Sequence, residues 1–329
     1  MSLVLIYIGS NLFTNGVEWV GRKFKLSEGV VGSILAAIGT ALPETIIPLI
    51  AIFFVTGQSG QDVGIGAILG APFMLGTIAM FATGIFILIF RRHRMQRAKI
   101  SYDRQITRRD LGLFLIVYLS AVSVALFIPQ QMKALTAPLF IAVYVIFVWF
   151  AFKADEGYLK EPQFLKFDKW VARLKNVTAS RNPALWLVAV QTVLSVLLII
   201  AGARLFVNQI VSIAEQLNAS GTLLALVIAP VATELPETLN SILWVRQGKD
   251  TLALGNITGA MLFQSCIPVA SGIAFTTWTL GPIELFSAAL ALTAGLWVYV
   301  LVAKAKLTAS ALILNGILYF LFLSIVLRG

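Results

Sequence analysis

The chain has 329 residues, 59% hydrophobic and only 12% charged, with a mean hydropathy of +0.90, whereas soluble domains carry roughly one quarter charged residues. That balance excludes a soluble domain and reads as an all-α integral membrane protein. The net charge of +10 marks no nucleic-acid partner, because the basic residues sit in short loops between apolar runs, and the single Cys266 excludes a disulfide framework.

With about twenty apolar residues per bilayer crossing, ten spans follow in order: roughly 1–21, 27–56, 62–90, 111–128, 135–152, 184–213, 220–246, 251–278, 283–303 and 307–327. The first lacks a basic leader and carries Asn11, Asn15 and Glu18, so it reads as a mature span and not a signal peptide. Basic residues fall in alternate loops. Those after spans one, three, five, seven and nine hold 22 of the 25 Lys and Arg residues. The positive-inside rule then places the chain in the cell membrane as a multi-pass protein, with both termini extracytoplasmic and segments 91–110 and 153–182 in the cytoplasm. His93, among the arginines of the first of these segments, reads as solvated. The second carries Phe164, Phe167 and Trp170. It reads most simply as a plain basic linker, the alternative being a short amphipathic helix on the membrane.

Span two contains Gly39-Thr40-Ala41-Leu42-Pro43-Glu44-Thr45, and span seven contains Ala232-Thr233-Glu234-Leu235-Pro236-Glu237-Thr238. Proline has no N–H and clashes with the carbonyl four residues back, so each helix is expected to break there and release a carbonyl. A freed carbonyl, a threonine and a glutamate supply hard oxygen donors where such groups are costly, which points to a cation site. The motifs belong to a longer repeat. At an offset of 193, Gly9, Leu12, Phe13, Asn15, Ser27, Thr40, Leu42, Pro43, Glu44 and Thr45 meet identical residues. At an offset of 189, Gly66-Ala67-Ile68-Leu69-Gly70-Ala71 meets Gly255-Asn256-Ile257-Thr258-Gly259-Ala260. Five spans per unit is odd, so two units in tandem lie upside down to each other: 1–152 and 184–329, joined by a linker at 153–183.

Glu44 and Glu237 are the leading candidates for the site, with Thr40 and Thr233 one turn before them. Glu234 stands where the first half has Ala41, and Gln264 where it has Leu75; Asn256 replaces Ala67. For the two amides an interhelical hydrogen bond is as good a reading as a ligand. Gly66, Gly70, Gly255 and Gly259 read as close-packing positions. Arg204, the one basic residue inside a span, is expected to snorkel or to pair with Glu18 or Glu215.

These residues resemble the cation/calcium exchanger superfamily, sodium/calcium exchanger-like membrane proteins whose two alpha-repeats carry a G-T-S-L-P-E type motif followed by G-N-x-x-G-S-N. The resemblance covers both halves. It implies ten helices, with Glu44 and Glu237 binding the exchanged cation. The chain departs from the pattern: the serine after threonine is Ala41 or Glu234, that of G-S-N is Ala71 or Ala260, and the polar residue one turn on is Leu75 or Gln264. The expected function is a secondary antiporter exchanging Ca²⁺ for Na⁺ or H⁺ by alternating access, not an enzyme. Its site comprises Glu44, Glu237, Thr40, Thr233, Glu234 and Gln264. No cofactor and no obligate protein partner is expected beyond the transported cations and the bilayer. The alternative is a non-transporting family member acting as a membrane scaffold or sensor. An intramembrane hydrolase using two carboxylates lacks any second motif.

Overall fold

The computed structural model describes residues 2–54, 58–153, 162–174, 178, 180–216 and 234–326. Among these there are helices and no strands. Helix α1 spans Ser2–Lys23. Helix α2, Glu28–Thr40, contains a π-helical turn at Val31–Ala36, and α3 is Leu42–Phe54. Helix α4 runs through Gln58–Met74, a second π-turn at Leu75–Ala79, and Met80–Ile89. There follow α5 (Arg104–Phe127), α6 (Gln130–Lys153), α7 (Lys166–Leu174), α8 (Leu185–Gln216), α9 (Leu235–Arg246), α10 (Asp250–Phe275), α11 (Pro282–Ala303) and α12 (Ala309–Val326).

Seven of these, α4, α5, α6, α8, α10, α11 and α12, are long and apolar enough to cross a membrane among the described residues. They coincide with seven of the ten expected spans. Helix α1, at 22 residues, is long enough, but Asn11, Asn15 and Glu18 dilute its apolar character. The span expected at 27–56 is two short helices meeting at Ala41. Of the span expected at 220–246, residues 220–233 lie outside the described residues.

Helix α10 is the centre of the bundle. It packs on α4, α5, α6, α9 and the π-turn of α2, and is buried along most of its length, its polar Asn256, Thr258 and Gln264 included. Its approach to α2 is set by two glycines. A Cβ on Gly259 would lie 2.0 Å from the Ser33 carbonyl oxygen, and one on Gly255 would lie 3.1 Å from the Ser33 nitrogen. The close-packing reading therefore holds for this pair. Helices α1 and α8 form a second tight pair with a two-fold look: a Cβ on Gly9 would meet Ile199 at 2.9 Å, and one on Gly202 would meet Ile6 at 2.8 Å. Gly9 and Gly202, like Ile6 and Ile199, stand 193 residues apart.

The basic loops gather at one end of the bundle. Asp250 Oδ2 accepts from Arg94 Nη2 at 2.5 Å and from Ser101 N at 2.8 Å. Its neighbour Lys249 pairs with Glu18, whose other oxygen accepts from Trp244 Nε1 at 2.8 Å. Arg104 donates to the Val302 carbonyl at 2.9 Å and to the Ala303 carbonyl, closing the C-terminus of α11. Glu18 is thus occupied by Lys249 and not by Arg204, which is exposed; a turn residue reaches the buried carboxylate, whereas Arg204 keeps its charge outside the core. The side chain of Glu215 lies outside the described residues. His93 is exposed, as expected.

The joining segment is more than a basic linker. Leu165 and Phe167 pack with Trp19, Leu187 and Val188 between α1 and α8. The Gln163 carbonyl accepts from Trp19 Nε1 at 2.8 Å and Asn15 Nδ2 at 3.2 Å, while Asn15 Oδ1 accepts from Lys166 N at 3.0 Å. Polar residues of α1 satisfy the backbone of the segment leading into α7, so this stretch is seated on the bundle. Partial burial pushes the Lys166 ammonium down to about 8, and the Asn11 carbonyl accepts from it at 2.7 Å.

Candidate cation site

The two proline motifs stand at matching helix ends. Helix α2 ends at Ala41 with φ −80° and ψ 8°, and α9 begins after Glu234 with φ −77° and ψ −3°. Ala41 and Glu234 are 193 residues apart, equivalent positions of the repeat. Glu44 stands in the first turn of α3 and Glu237 in the first turn of α9, where the positive end of the helix dipole favours a carboxylate.

The breaks converge. One carboxylate oxygen from each of Glu44, Glu234 and Glu237 lies within 4.8 Å of the others, and all three residues are buried. Among the described residues, no hydrogen bond reaches the carboxylate oxygens of Glu234 and Glu237 or the side-chain amides of Gln264 and Asn240. Gln264 approaches Glu234, and Thr40 approaches Glu237, without well-formed hydrogen bonds. Buried polar atoms are almost always partnered, and several carboxylates in one dry cluster need a compensating positive charge. The donor set is all oxygen with amide groups at its edge, which suits a hard cation such as Ca²⁺ or Na⁺ over a soft metal.

Two hydrogen-bonded residues tie the breaks together. Thr40 Oγ1 donates to the Ala36 carbonyl at 3.0 Å and lies 3.3 Å from Asn256 Oδ1. Asn256 Nδ2 donates to the Glu237 carbonyl at 3.1 Å and to Ser241 Oγ at 3.2 Å. Of the two amides singled out on span eight, Asn256 is therefore spent on bridging helices, while Gln264 keeps its amide for the cluster. Thr233 lies outside the described residues. Asn240 escaped the sequence reading, although its spacing of three from Glu237 carries it to the same side of α9; a lone amide in a span reads first as helix glue.

A family model for sodium/calcium exchanger proteins matches residues 1–153 and 187–328. The chain belongs to the sodium/calcium exchanger family. It is a membrane protein of a cation-antiporter family. It is 25% identical over 263 residues to the putative antiporter CaxA of Alkalimonas amylolytica, covering 80% of this chain and 75% of the relative. To the sodium/calcium exchanger MaX1 of Methanosarcina acetivorans it is 25% identical over 287 residues, covering 79% and 77%. A solved structure of the sodium-calcium exchanger NCX_Mj shares the fold, with TM-score 0.75, 20% identity and coverage of 98% of this chain and 96% of that one.

Proposed function

We propose that this chain exchanges a divalent cation, Ca²⁺ first, for Na⁺ or H⁺ by alternating access. The observation that carries the reading is the meeting of Glu44 with Glu234 and Glu237, from opposite halves of the sequence, within 4.8 Å in the buried core. Glu44, Glu237, Glu234, Thr40, Thr233 and Gln264, with carbonyls released at the breaks, approach the six to eight oxygens that Ca²⁺ takes. With the divalent ion gone, the carboxylates need Na⁺ or protons before they can sit again in an apolar interior. Competition between two kinds of compensation for one site is the exchange.

The architecture in this proposal is ten crossings in two inverted five-helix units, 1–152 and 184–329, joined by 153–183. The reciprocal Gly9–Ile199 and Gly202–Ile6 packing and the matching dihedral angles at Ala41 and Glu234 support it. Both termini then face the outside and the gathered basic loops the cytoplasm. The test is flux of radiolabelled calcium into vesicles holding purified protein, driven by outward Na⁺ or H⁺ gradients. Uptake that follows either gradient supports exchange. Failure with both gradients and with a panel of divalent ions would leave the scaffold reading ahead.

A further inference from the structure

Asp110 is fully buried on α5. Its Oδ1 accepts from Arg109 Nε at 3.1 Å and Nη2 at 2.9 Å, and its Oδ2 accepts from Thr258 Oγ1 at 3.3 Å. Arg109 Nη2 also reaches Ser33 Oγ at 3.4 Å, and its guanidinium lies 4.7 Å from the centre of the Phe147 ring. One ion pair thus touches the π-turn of α2 through Ser33, α10 through Thr258, and α6 through Phe147. Asp110 is fully buried while the Arg109 side chain is 31% exposed, so the pair is half-buried and adds little net stability; the best-attested use of such a polar contact is to select one arrangement of its neighbours.

The arrangement selected here matters for the carboxylate site. Ser33 is the residue against which Gly255 and Gly259 press, so the pair bolts the contact at which α2 and α10 approach most closely. Seven residues beyond Ser33 on α2 is Thr40, and two residues before Thr258 on α10 is Asn256. Thr40 and Asn256 are the groups that link the two helix breaks. We infer that the Arg109–Asp110 pair is a positioning element of the cation site. It touches none of the site residues, and it holds α2 against α10 so that Thr40, Asn256 and the Glu237 backbone keep their register. The inference rests on the exchange reading above.

The experiment compares Asp110→Asn with the milder Thr258→Val and Ser33→Ala, which leave the charges in place and are the safer variants to fold. Hydrogen exchange of the purified protein without divalent ions is read at residues 34–41 and 254–260, and calcium half-saturation and maximal flux are measured in vesicles. Exchange should quicken at both segments in all three variants. The half-saturating calcium concentration should rise about tenfold for Asp110→Asn and about threefold for the others, as supporting groups behind a metal site do, with maximal flux within about twofold. Unchanged hydrogen exchange overturns the clamp whatever the flux. Faster exchange with an unchanged half-saturating concentration overturns its link to the site and leaves a purely structural bolt. A wild-type protein that moves no divalent ion defeats the exchange reading alone, since hydrogen exchange still decides whether the pair holds the two breaks in register.

Discussion

The first-half break surrounds Ala41 with Thr40 and Glu44, while the second surrounds Glu234 with Glu237, Asn240 and, from α10, Gln264 and Asn256. The dihedral angles at Ala41 and Glu234 nearly coincide, yet the second half supplies most of the polar side chains. The supporting helices differ in the same sense. Helix α10 is regular through Gln264, whereas α4 loosens into a π-turn beginning at the equivalent Leu75. Asn315 Nδ2 donates to the Gly76 carbonyl within that turn at 3.0 Å, and Tyr118 Oη donates to the Leu69 carbonyl upstream of it at 3.0 Å. Pro72 withholds an N–H just before the turn. The helix end beside each proline is alike in the two halves, while the polar side chains around it diverge, and one carboxylate cluster collects from both.

The largest effect is expected where the halves agree. Glu237→Gln and Glu44→Gln should each reduce divalent exchange to the level of protein-free vesicles while the protein still inserts and runs as a monodisperse species. Each change relieves a buried charge and removes a ligand. Normal exchange in either variant would take that half out of the site.

Gly259→Ala should come next, because the added methyl group lands 2.0 Å from a backbone carbonyl that cannot yield cheaply. A loss of ~1–3 kcal/mol is typical of such overpacking, read as a lower melting temperature in detergent. Gly70→Ala, at the equivalent position of α4, sharpens the comparison: an equal loss would extend the tight α2–α10 contact to its first-half counterpart.

Swapping the residues that differ is a finer probe. Gln264→Leu makes α10 resemble α4 and should raise the half-saturating calcium concentration by about tenfold, whereas Leu75→Gln should leave it within about threefold. Equal effects from the two swaps would mean that the site draws evenly on both halves.

The smallest effect concerns the joining segment. Lys166 is pushed from 10.5 down to about 8 in the folded protein, so between these values the unfolded segment binds more protons than the docked one. Docking should therefore strengthen as pH rises from about 8 to about 10, and be weakest below 8, where the charged form must be buried. Protection factors over 163–174, corrected for the base-catalysed intrinsic exchange rate, should rise across that window in wild type, and Lys166→Met should remove the dependence. A wild-type profile as flat as the variant's would show that Lys166 does not report the docked state.

Much of this protein was legible without coordinates. Membrane class follows from composition, seven spans from apolar length, and the break at Ala41 from the missing N–H of Pro43. Glu44, Glu234 and Glu237 stand out because a carboxylate in an apolar run has few bland explanations. Other features depended on the tertiary structure because they are properties of pairs distant in sequence. No spacing rule says that Asn256 bridges Thr40 to the Glu237 carbonyl, or that Glu18 takes Lys249 as its partner and leaves Arg204 outside. Asp110 hides at the edge of a basic run that reads as topology alone, and only burial against Ser33 and Thr258 gives it a role. The linker's polar anchors, Asn15 and Gln191, likewise look like isolated polar residues of two spans until the chain between them is seen to hydrogen-bond to both. Local chemistry sets where a helix breaks and which groups are expensive to bury; which groups relieve one another is decided by the packing that brings them within hydrogen-bond reach.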